Sequence, residues 1–214
     1  MRKKNKLVYG VGIMDLDYVT NKYRNLGIIG GKRRQIRVWQ CPYYSVWVNM
    51  LARCYSPKTH EKCPTYLGCS VYEGWLVFSN FKMWMGTQDW INKQLDKDIL
   101  FQGNKVYSPE TCVFINQNVN KFILDSAAIR GDYLIGVSWD KERCKYLSQC
   151  TDGQGRKKFL GRFNTELEAH KAWLAFKLEQ AKLFAAEQTD PRVAKALIDR
   201  YENYVAQEKE LDKS

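Results

Sequence analysis

The sequence predicts an α+β protein in which small strand-containing modules alternate with helices. Apolar residues recur at helical spacing from Tyr43 to Leu51. Residues 95–120 have the pattern of two short strands followed by a helix, and residues 136–163 that of three strands before another helix. We expect four segments: a basic N-terminal arm over 1–40, a module over 41–125, a module over 133–189, and a C-terminal helix and tail over 190–214.

The chain is strongly basic, and the charge is concentrated near its start. It has 214 residues and a formal net charge of +11. Residues 1–40 hold ten Lys and Arg against two acids, Asp15 and Asp17. Such an excess attracts polyanions. The densest group is predicted to be a phosphate-contacting arm or loop, with a solvated charged loop as the alternative; it comprises Lys32, Arg33, Arg34 and Arg37.

Several protein classes are excluded by composition. No apolar run approaches the roughly 18–20 residues that span a bilayer, and the N-terminal MRKKNK lacks the apolar segment of a secretory signal. Seven cysteines without C-x-x-C spacing indicate reduced core thiols rather than a disulfide scaffold or a structural zinc site. A site built from Cys41, Cys54, Cys63 and His60 is the alternative that stays open.

The first helix is predicted to begin at Cys41-Pro42, and a loop is predicted from Pro57 to Pro64. Aromatic residues then recur at three-residue spacing between Tyr72 and Trp84, which favours helix, with Ser79 or Asn80 as a cap. We interpret this aromatic stripe as core; base-stacking platforms are the alternative.

Residues 95–120 read LDKDILFQGNKVYSPETCVFINQNVN. Asp96 and Asp98 alternate along the predicted strand, so both carboxylates are expected on one side and Lys97 on the other. Asn104 follows a glycine and is predicted to be a turn residue. The segment Tyr107-Ser108-Pro109-Glu110 is expected to order the next loop. The structural alternative is that the acids merely flank a turn.

Together with W-xx-M-xx-R-C-Y from Trp47, Y-L-G from Tyr66 and W-xx-F-xx-F from Trp75, this segment resembles phage HNH-type homing endonucleases. The resemblance implies a ββα-metal finger that hydrolyses DNA phosphodiesters with one Mg²⁺ or Mn²⁺ ion. By position the metal ligands are Asp96 and Asn120, with Asn118 as the substitute if the helix register differs.

The family places a histidine base beside its aspartate, whereas this chain has Lys97 there. The remaining candidates for a catalytic role are Asp98 and His60, together with Lys97 itself. Because the usual histidine is missing, we also consider a catalytically inactive, sequence-specific transcription repressor derived from such a nuclease.

The last module is predicted to contain three antiparallel strands and a helix. Its strands centre on Gly136–Trp139, Lys145–Cys150 and Lys158–Phe163, and Thr165 with Glu168 predicts a capping box. A final helix is expected from Asp190-Pro191 to about Gln207.

The motifs G-V-S-W, K-Y, F-L-G-x-F and T-x-x-E-A are similar to the AP2 domain, which implies a sheet that lies in the DNA major groove. Trp139 and Tyr146 match aromatic DNA-contact positions of that family. Arg143 and Arg162 are expected to read guanine and Gln149 adenine. The cations expected to bind phosphate are Lys145, Arg156 and Lys158; a solvated basic sheet face is the alternative. We therefore expect a DNA endonuclease of the host bacterial cytoplasm acting on double-stranded DNA, with a homodimer left open and an RNA-associated structural protein as a weaker class.

Overall fold

The computed structural model describes residues 7–17, 19–124, 132–152 and 154–211. The chain divides into two compact units, residues 1–114 and 115–214. Within the described ranges it contains both helices and small sheets, which confirms the α+β class. The predicted polar link after Asp125 falls largely outside these ranges. None of the helices described is both long and apolar enough to cross a bilayer.

The first unit opens with a long β-hairpin where the sequence predicted only an arm or loop. Strand β1 (Asn21–Ile29) pairs antiparallel with β2 (Lys32–Gln40). Gly30 and Gly31 form the connection with φ of 58° and 74°. A two-residue turn in this left-handed region matches the twist of the paired strands, and glycine adopts it without steric cost.

Helix α1 (Pro42–Tyr55) begins where it was predicted, with proline in its first turn. The predicted loop after it is wrong: Pro57–Lys62 form α2, since Pro57 again supplies a helix-compatible φ. The aromatic stripe forms a 3₁₀ turn over Glu73–Leu76 and then α3 (Phe78–Gly86), whose N-cap position is Val77 rather than Ser79 or Asn80.

The core of the first unit is largely aromatic. Trp47, Phe78 and Phe81 are fully buried, and the Trp47 indole Nε1 donates to the backbone oxygen of Trp75 at 2.7 Å. The core interpretation of the stripe is therefore confirmed for Phe78 and Phe81. Tyr72 is the exception, at 50% exposure.

Four very short strands follow the stripe or flank it. Strand β3 (Ser70–Val71) runs parallel to β5 (Val106–Tyr107), and β4 (Gln94–Asp96) pairs with β6 (Val113–Ile115). The two strands predicted in the 95–120 segment thus correspond to β4 and β6.

The second unit begins with α4 (Gln117–Ile123) and continues into an antiparallel sheet. Its strands, in the order β7-β8-β9, are Val137–Asp140, Lys145–Thr151 and Lys157–Phe163. Helix α5 (Glu166–Ala186) starts with the predicted capping box, in which Thr165 and Glu168 exchange side-chain-to-backbone hydrogen bonds of 3.2 and 3.1 Å. Helix α6 spans Pro191–Leu211. The prediction of three strands followed by two helices is confirmed.

Candidate functional site

Asp96 is the last residue of β4 and orders the turn that follows. Its Oδ1 accepts hydrogen bonds from the backbone N–H groups of Asp98, at 2.8 Å, and Ile99, at 2.7 Å. Burial raises the pKa of the Asp96 carboxyl, although these N–H groups oppose the shift. Within the described ranges, Oδ2 accepts no hydrogen bond. A cation at Oδ2 would stabilise the charge that burial disfavours, so this carboxylate fits a metal ligand.

Lys97, at the position where the resemblance implies histidine, is buried in an ion pair. The residue is only 5% exposed. Its Nζ donates to Asp98 Oδ1 at 2.7 Å, to Asp98 Oδ2 at 2.8 Å, and to the backbone oxygen of Asn104 at 2.6 Å. The centre of the Tyr107 ring is 5.8 Å from the ammonium. These are the contacts of a cation that stabilises the turn.

The prediction that Asp96 and Asp98 project from one side of a continuous strand is wrong. Strand β4 ends at Asp96, and the backbone bends after it. Because the alternation stops there, Lys97 does not face away from Asp98. Its ammonium donates to both carboxylate oxygens of Asp98. Asp98 would have to release this ammonium before it could take a proton from water, which weakens its case as a general base.

Asn104 closes the same turn from the other side. Its Nδ2 donates to the backbone oxygens of Lys97 at 2.9 Å and Val106 at 2.7 Å, and its Oδ1 accepts from the Val106 N–H at 3.1 Å. The amide is used on both its nitrogen and its oxygen. The turn interpretation of Asn104 is confirmed.

Arg53 reaches this region from α1 and was not identified from the sequence. Its Nη1 donates to the backbone oxygen of Leu95 at 3.4 Å, and its guanidinium lies 5.5 Å from the centre of the Tyr66 ring. Burial opposes its charge, but Tyr107, Tyr66 and Asp96 together raise the pKa of Arg53. A half-buried guanidinium that interacts with the candidate metal ligand is a natural phosphate contact. The R-C-Y motif carried the signal.

His60, the histidine considered as a base, belongs to α2. Its Nε2 lies 2.9 Å from the backbone oxygen of Arg53, so this nitrogen must carry a hydrogen and donate. The contact anchors α2 to α1. The Nε2 atom, which is the ring nitrogen farthest from the His60 backbone, therefore has a structural role.

Asn120, the second predicted metal ligand, lies half-buried on α4, and its backbone N–H donates to Asn116 at 3.0 Å. Asp96 belongs to the first unit and Asn120 to the second. Their joint coordination of one ion stays a prediction. In the part of the chain that the structure describes, no group of three or more His, Cys, Asp or Glu side chains is placed to hold a metal ion.

The β1–β2 hairpin is the most basic surface of the first unit. Residues 21–40 contain six Lys or Arg and no acid. All four predicted DNA contacts lie exposed on β2 or at its start; they are Lys32, Arg33, Arg34 and Arg37. Arg33 pairs with Ile28, and Arg37 with Tyr23, while Arg34 pairs with Gly27. Because strand neighbours alternate between faces, the ribbon is basic on both sides.

The β7–β9 sheet has one face against α5 and one open face. On the open face Arg162 pairs with Leu147, and Gln149 pairs with Phe159. The Arg162 Nε donates to Asp140 Oδ2 at 2.8 Å, and Arg143 Nη1 lies 3.6 Å from the same oxygen. Arg162 is the first cause of the lowered pKa of Asp140. Asp140 thus contacts both Arg143 and Arg162, the two residues predicted to read guanine.

The other predicted contacts of this sheet are divided between its two faces. Trp139 pairs with Tyr146, their rings 4.8 Å apart, on the face that Ser148 and Cys150 share with α5. Lys158 also lies on that face, 4.8 Å from the centre of the Phe176 ring of α5. Lys145 on the open face bonds Asn164. Arg156, in the β8–β9 turn, forms a 2.9 Å ion pair with Asp152.

Comparison with family models, with curated proteins and with solved structures finds no match to this chain.

Proposed function

We propose that the protein binds double-stranded DNA through the β1–β2 hairpin and the open face of the β7–β9 sheet. The observation that carries this proposal is the exposed two-stranded ribbon with six cations and no acid. A two-stranded β-ribbon matches the width of the major groove, and cations on both of its faces can reach both phosphate backbones. The open sheet face adds Gln149, Arg143 and Arg162 as base-edge donors.

We further propose that the bound DNA is hydrolysed by an HNH-type centre with one Mg²⁺ or Mn²⁺ ion. Asp96 and Asn120 would hold the ion, which would act as a Lewis acid at the scissile phosphate. The assignment is supported by Asp96 Oδ2, which accepts no hydrogen bond from the residues that the structure describes, and by the raised pKa of the Asp96 carboxyl. Arg53 would bind a phosphate oxygen, and Asp98 would take a proton from water after leaving Lys97.

A second candidate is a transcription repressor that binds DNA without cutting it. Lys97 favours this alternative, because an ammonium held by Asp98 and by the Asn104 carbonyl cannot accept a proton from water. The two candidates share the DNA interface and differ only in chemistry.

DNA binding is tested by comparing Arg33→Ala/Arg34→Ala with Lys58→Ala/Lys62→Ala, which removes the same charge from exposed positions of α2. The hairpin pair should lower the slope of log affinity against log salt by about 2 and weaken binding, because each lost cation releases about one counterion fewer. Equal affinity of the two double variants for a duplex would rule out the hairpin as the interface.

The metal site is tested with Asp96→Asn, which keeps an Oδ1 acceptor for the turn and removes the charge. Titration calorimetry with Mn²⁺ should show binding to the wild type and none to Asp96→Asn or Asn120→Ala. Cleavage of phage genomic DNA should be lost in the same variants. Mn²⁺ binding that all three proteins share would refute the site, and DNA binding without cleavage under either metal would establish the repressor.

A further inference from the structure

The second unit contains a cavity of about 500 Å³ between α4, the β8–β9 turn and α5. Phe122, Ile135 and Trp173 contribute apolar walls, and three cations line it, Lys121, Lys157 and Lys177. Lys121 and Lys157 are exposed, whereas Lys177 is only 7% exposed. A concave apolar site with a few convergent charged groups is the usual form of a ligand site.

The Lys177 ammonium is the unusual feature of this cavity. Its Nζ donates to the backbone oxygen of Phe122 at 2.7 Å and lies 3.7 Å from the centre of the Phe122 ring. The Tyr201 and Trp173 rings follow at 5.4 and 5.7 Å. None of the ion pairs in the described ranges involves this ammonium. Rings and a carbonyl oxygen compensate a buried charge only in part, because neither carries an opposite charge.

The one carboxylate lining the described part of the cavity is committed elsewhere. Asp152 Oδ1 accepts the backbone N–H groups of Gln154 and Arg156, both at 2.9 Å. Its Oδ2 accepts from Arg156 Nε, also at 2.9 Å. Asp152 therefore neutralises Arg156 and leaves the three lysines in excess.

We propose that this cavity binds a phosphate group, held by Lys177 inside and by Lys121 and Lys157 at the exposed edge. An ammonium has three N–H donors and Phe122 takes one, so a phosphate oxygen can accept another. The Phe122 and Trp173 rings then form the wall beside the group that carries the phosphate.

The phosphate has two sources, a free nucleotide or the DNA backbone. In the second case the inference rests on the proposed DNA binding, and in the first it is independent. Burial supports the site in either case, because it is the main reason that the pKa of Lys177 falls to about 8; Cys150 opposes the shift and Arg200 contributes to it. An anion in the cavity would relieve that penalty.

The test uses the full chain in a phosphate-free buffer, titrated with inorganic phosphate and with thymidine monophosphate. Binding is followed through the indole N–H resonance of Trp173. Lys177→Met should weaken binding by roughly tenfold or more, as expected for a charge-assisted bond, while Lys182→Met, on the exposed side of α5, should not. Lys121→Gln and Lys157→Gln are exposed and leave the core intact, so each should weaken binding severalfold.

Affinity that none of the three cavity variants lowers, or the absence of any millimolar binding, would overturn the proposal. Repeating the nucleotide titration on DNA-saturated protein identifies the source: competition indicates a backbone phosphate, and simultaneous binding indicates a free nucleotide. The variant Arg33→Ala/Arg34→Ala separates the two hypotheses, because it should bind duplex more weakly yet retain inorganic phosphate binding. Loss of duplex affinity in that variant would leave the cavity proposal intact. Failure of phosphate binding in the wild type would instead leave the proposed hairpin interface intact.

Discussion

Replacing Lys177 by Met is expected to stabilise the protein near neutral pH. Burial lowers the pKa of Lys177 from its ordinary 10.5 to about 8. At ~1.36 kcal/mol per pH unit, keeping the ammonium charged inside the fold costs roughly 3 kcal/mol. Met fills the same aromatic surroundings without a charge, but the Phe122 oxygen loses its donor, which costs about 1 kcal/mol. The net expectation is a gain of roughly 2 kcal/mol in the free energy of unfolding at pH 7.

The sign of this difference should depend on pH. The pKa of Lys177 is lower in the folded chain than in the unfolded one, so between pH 8 and 10.5 the unfolded state binds more protons. Between these two pH values the wild type should gain stability relative to Lys177→Met as the pH rises. Above pH 10.5 the variant should be less stable than the wild type by about 1 kcal/mol. Below about pH 8 the full penalty is present and the variant is the more stable.

Urea unfolding of both proteins, measured every half pH unit from 7 to 11 in phosphate-free buffer, gives the difference directly. Cys150, Tyr201 and Arg200 face Lys177, and the raised pKa values of the Cys150 thiol and the Tyr201 hydroxyl, both caused mainly by burial, enter the comparison. Lys182→Met controls for the loss of one exposed ammonium and should give a pH-independent difference. Parallel stability curves for the wild type and Lys177→Met would refute the interpretation of Lys177 as a buried ammonium that lacks an ion-pair partner among the described residues.

Three further predictions concern the two units. Lys97→Met should lower the free energy of unfolding by about 1–3 kcal/mol in urea, because the Asn104 carbonyl and Asp98 lose their donor; an unchanged midpoint would contradict its turn role. Gly136→Ala should cost about 3 kcal/mol, since Gly136 has φ of +81° and an added Cβ would lie 2.1 Å from Trp173. Gly155→Ala, at φ of +82°, should cost only about 1 kcal/mol, because no atom of the described residues lies within 4 Å of its added Cβ. Equal melting temperatures of the two variants would disprove the clash. Arg162→Lys keeps the charge but loses the fork beside Asp140, so binding to a selected DNA site should become less sequence-specific while its salt dependence is retained; unchanged specificity would remove Arg162 from base readout.

The elements that the sequence predicted correctly are those with local chemical signals. The Thr165 and Glu168 pair marks the start of α5, because a capping box needs only residues three positions apart. Pro42 marks the start of α1, because the preference of proline for the first turn of a helix is also a local signal. Tertiary packing enters neither argument, so a single sequence suffices.

The β1–β2 hairpin could not be predicted from a hydrophobic pattern. Its strands are exposed on both faces, so no period of two arises, and register shifts near Lys22 and Leu26 break the alternation further. The Gly30-Gly31 turn was the available signal. The prediction that Asp98 continues the strand was wrong for a different reason. Asp96 ends the strand by accepting hydrogen bonds from the N–H groups that follow it. In sequence, a carboxylate that caps a turn cannot be distinguished from one that lines a strand.

In the turn after β4, most polar side-chain groups stabilise the fold, and one remains available for chemistry. Lys97, Asp98 and Asn104 use their polar groups within the turn, and their residue types follow from that need. Among the described residues, Asp96 accepts hydrogen bonds only at Oδ1, and an asparagine would accept them equally well. Its negative charge is therefore not required by the turn, and burial opposes it. We therefore expect Asp96→Asn to match or exceed the wild type in stability without metal, and to lose the stabilisation that Mn²⁺ gives the wild type. A variant less stable than the wild type under both conditions would mean that the charge is structural, and the hydrolase proposal would lose its main support.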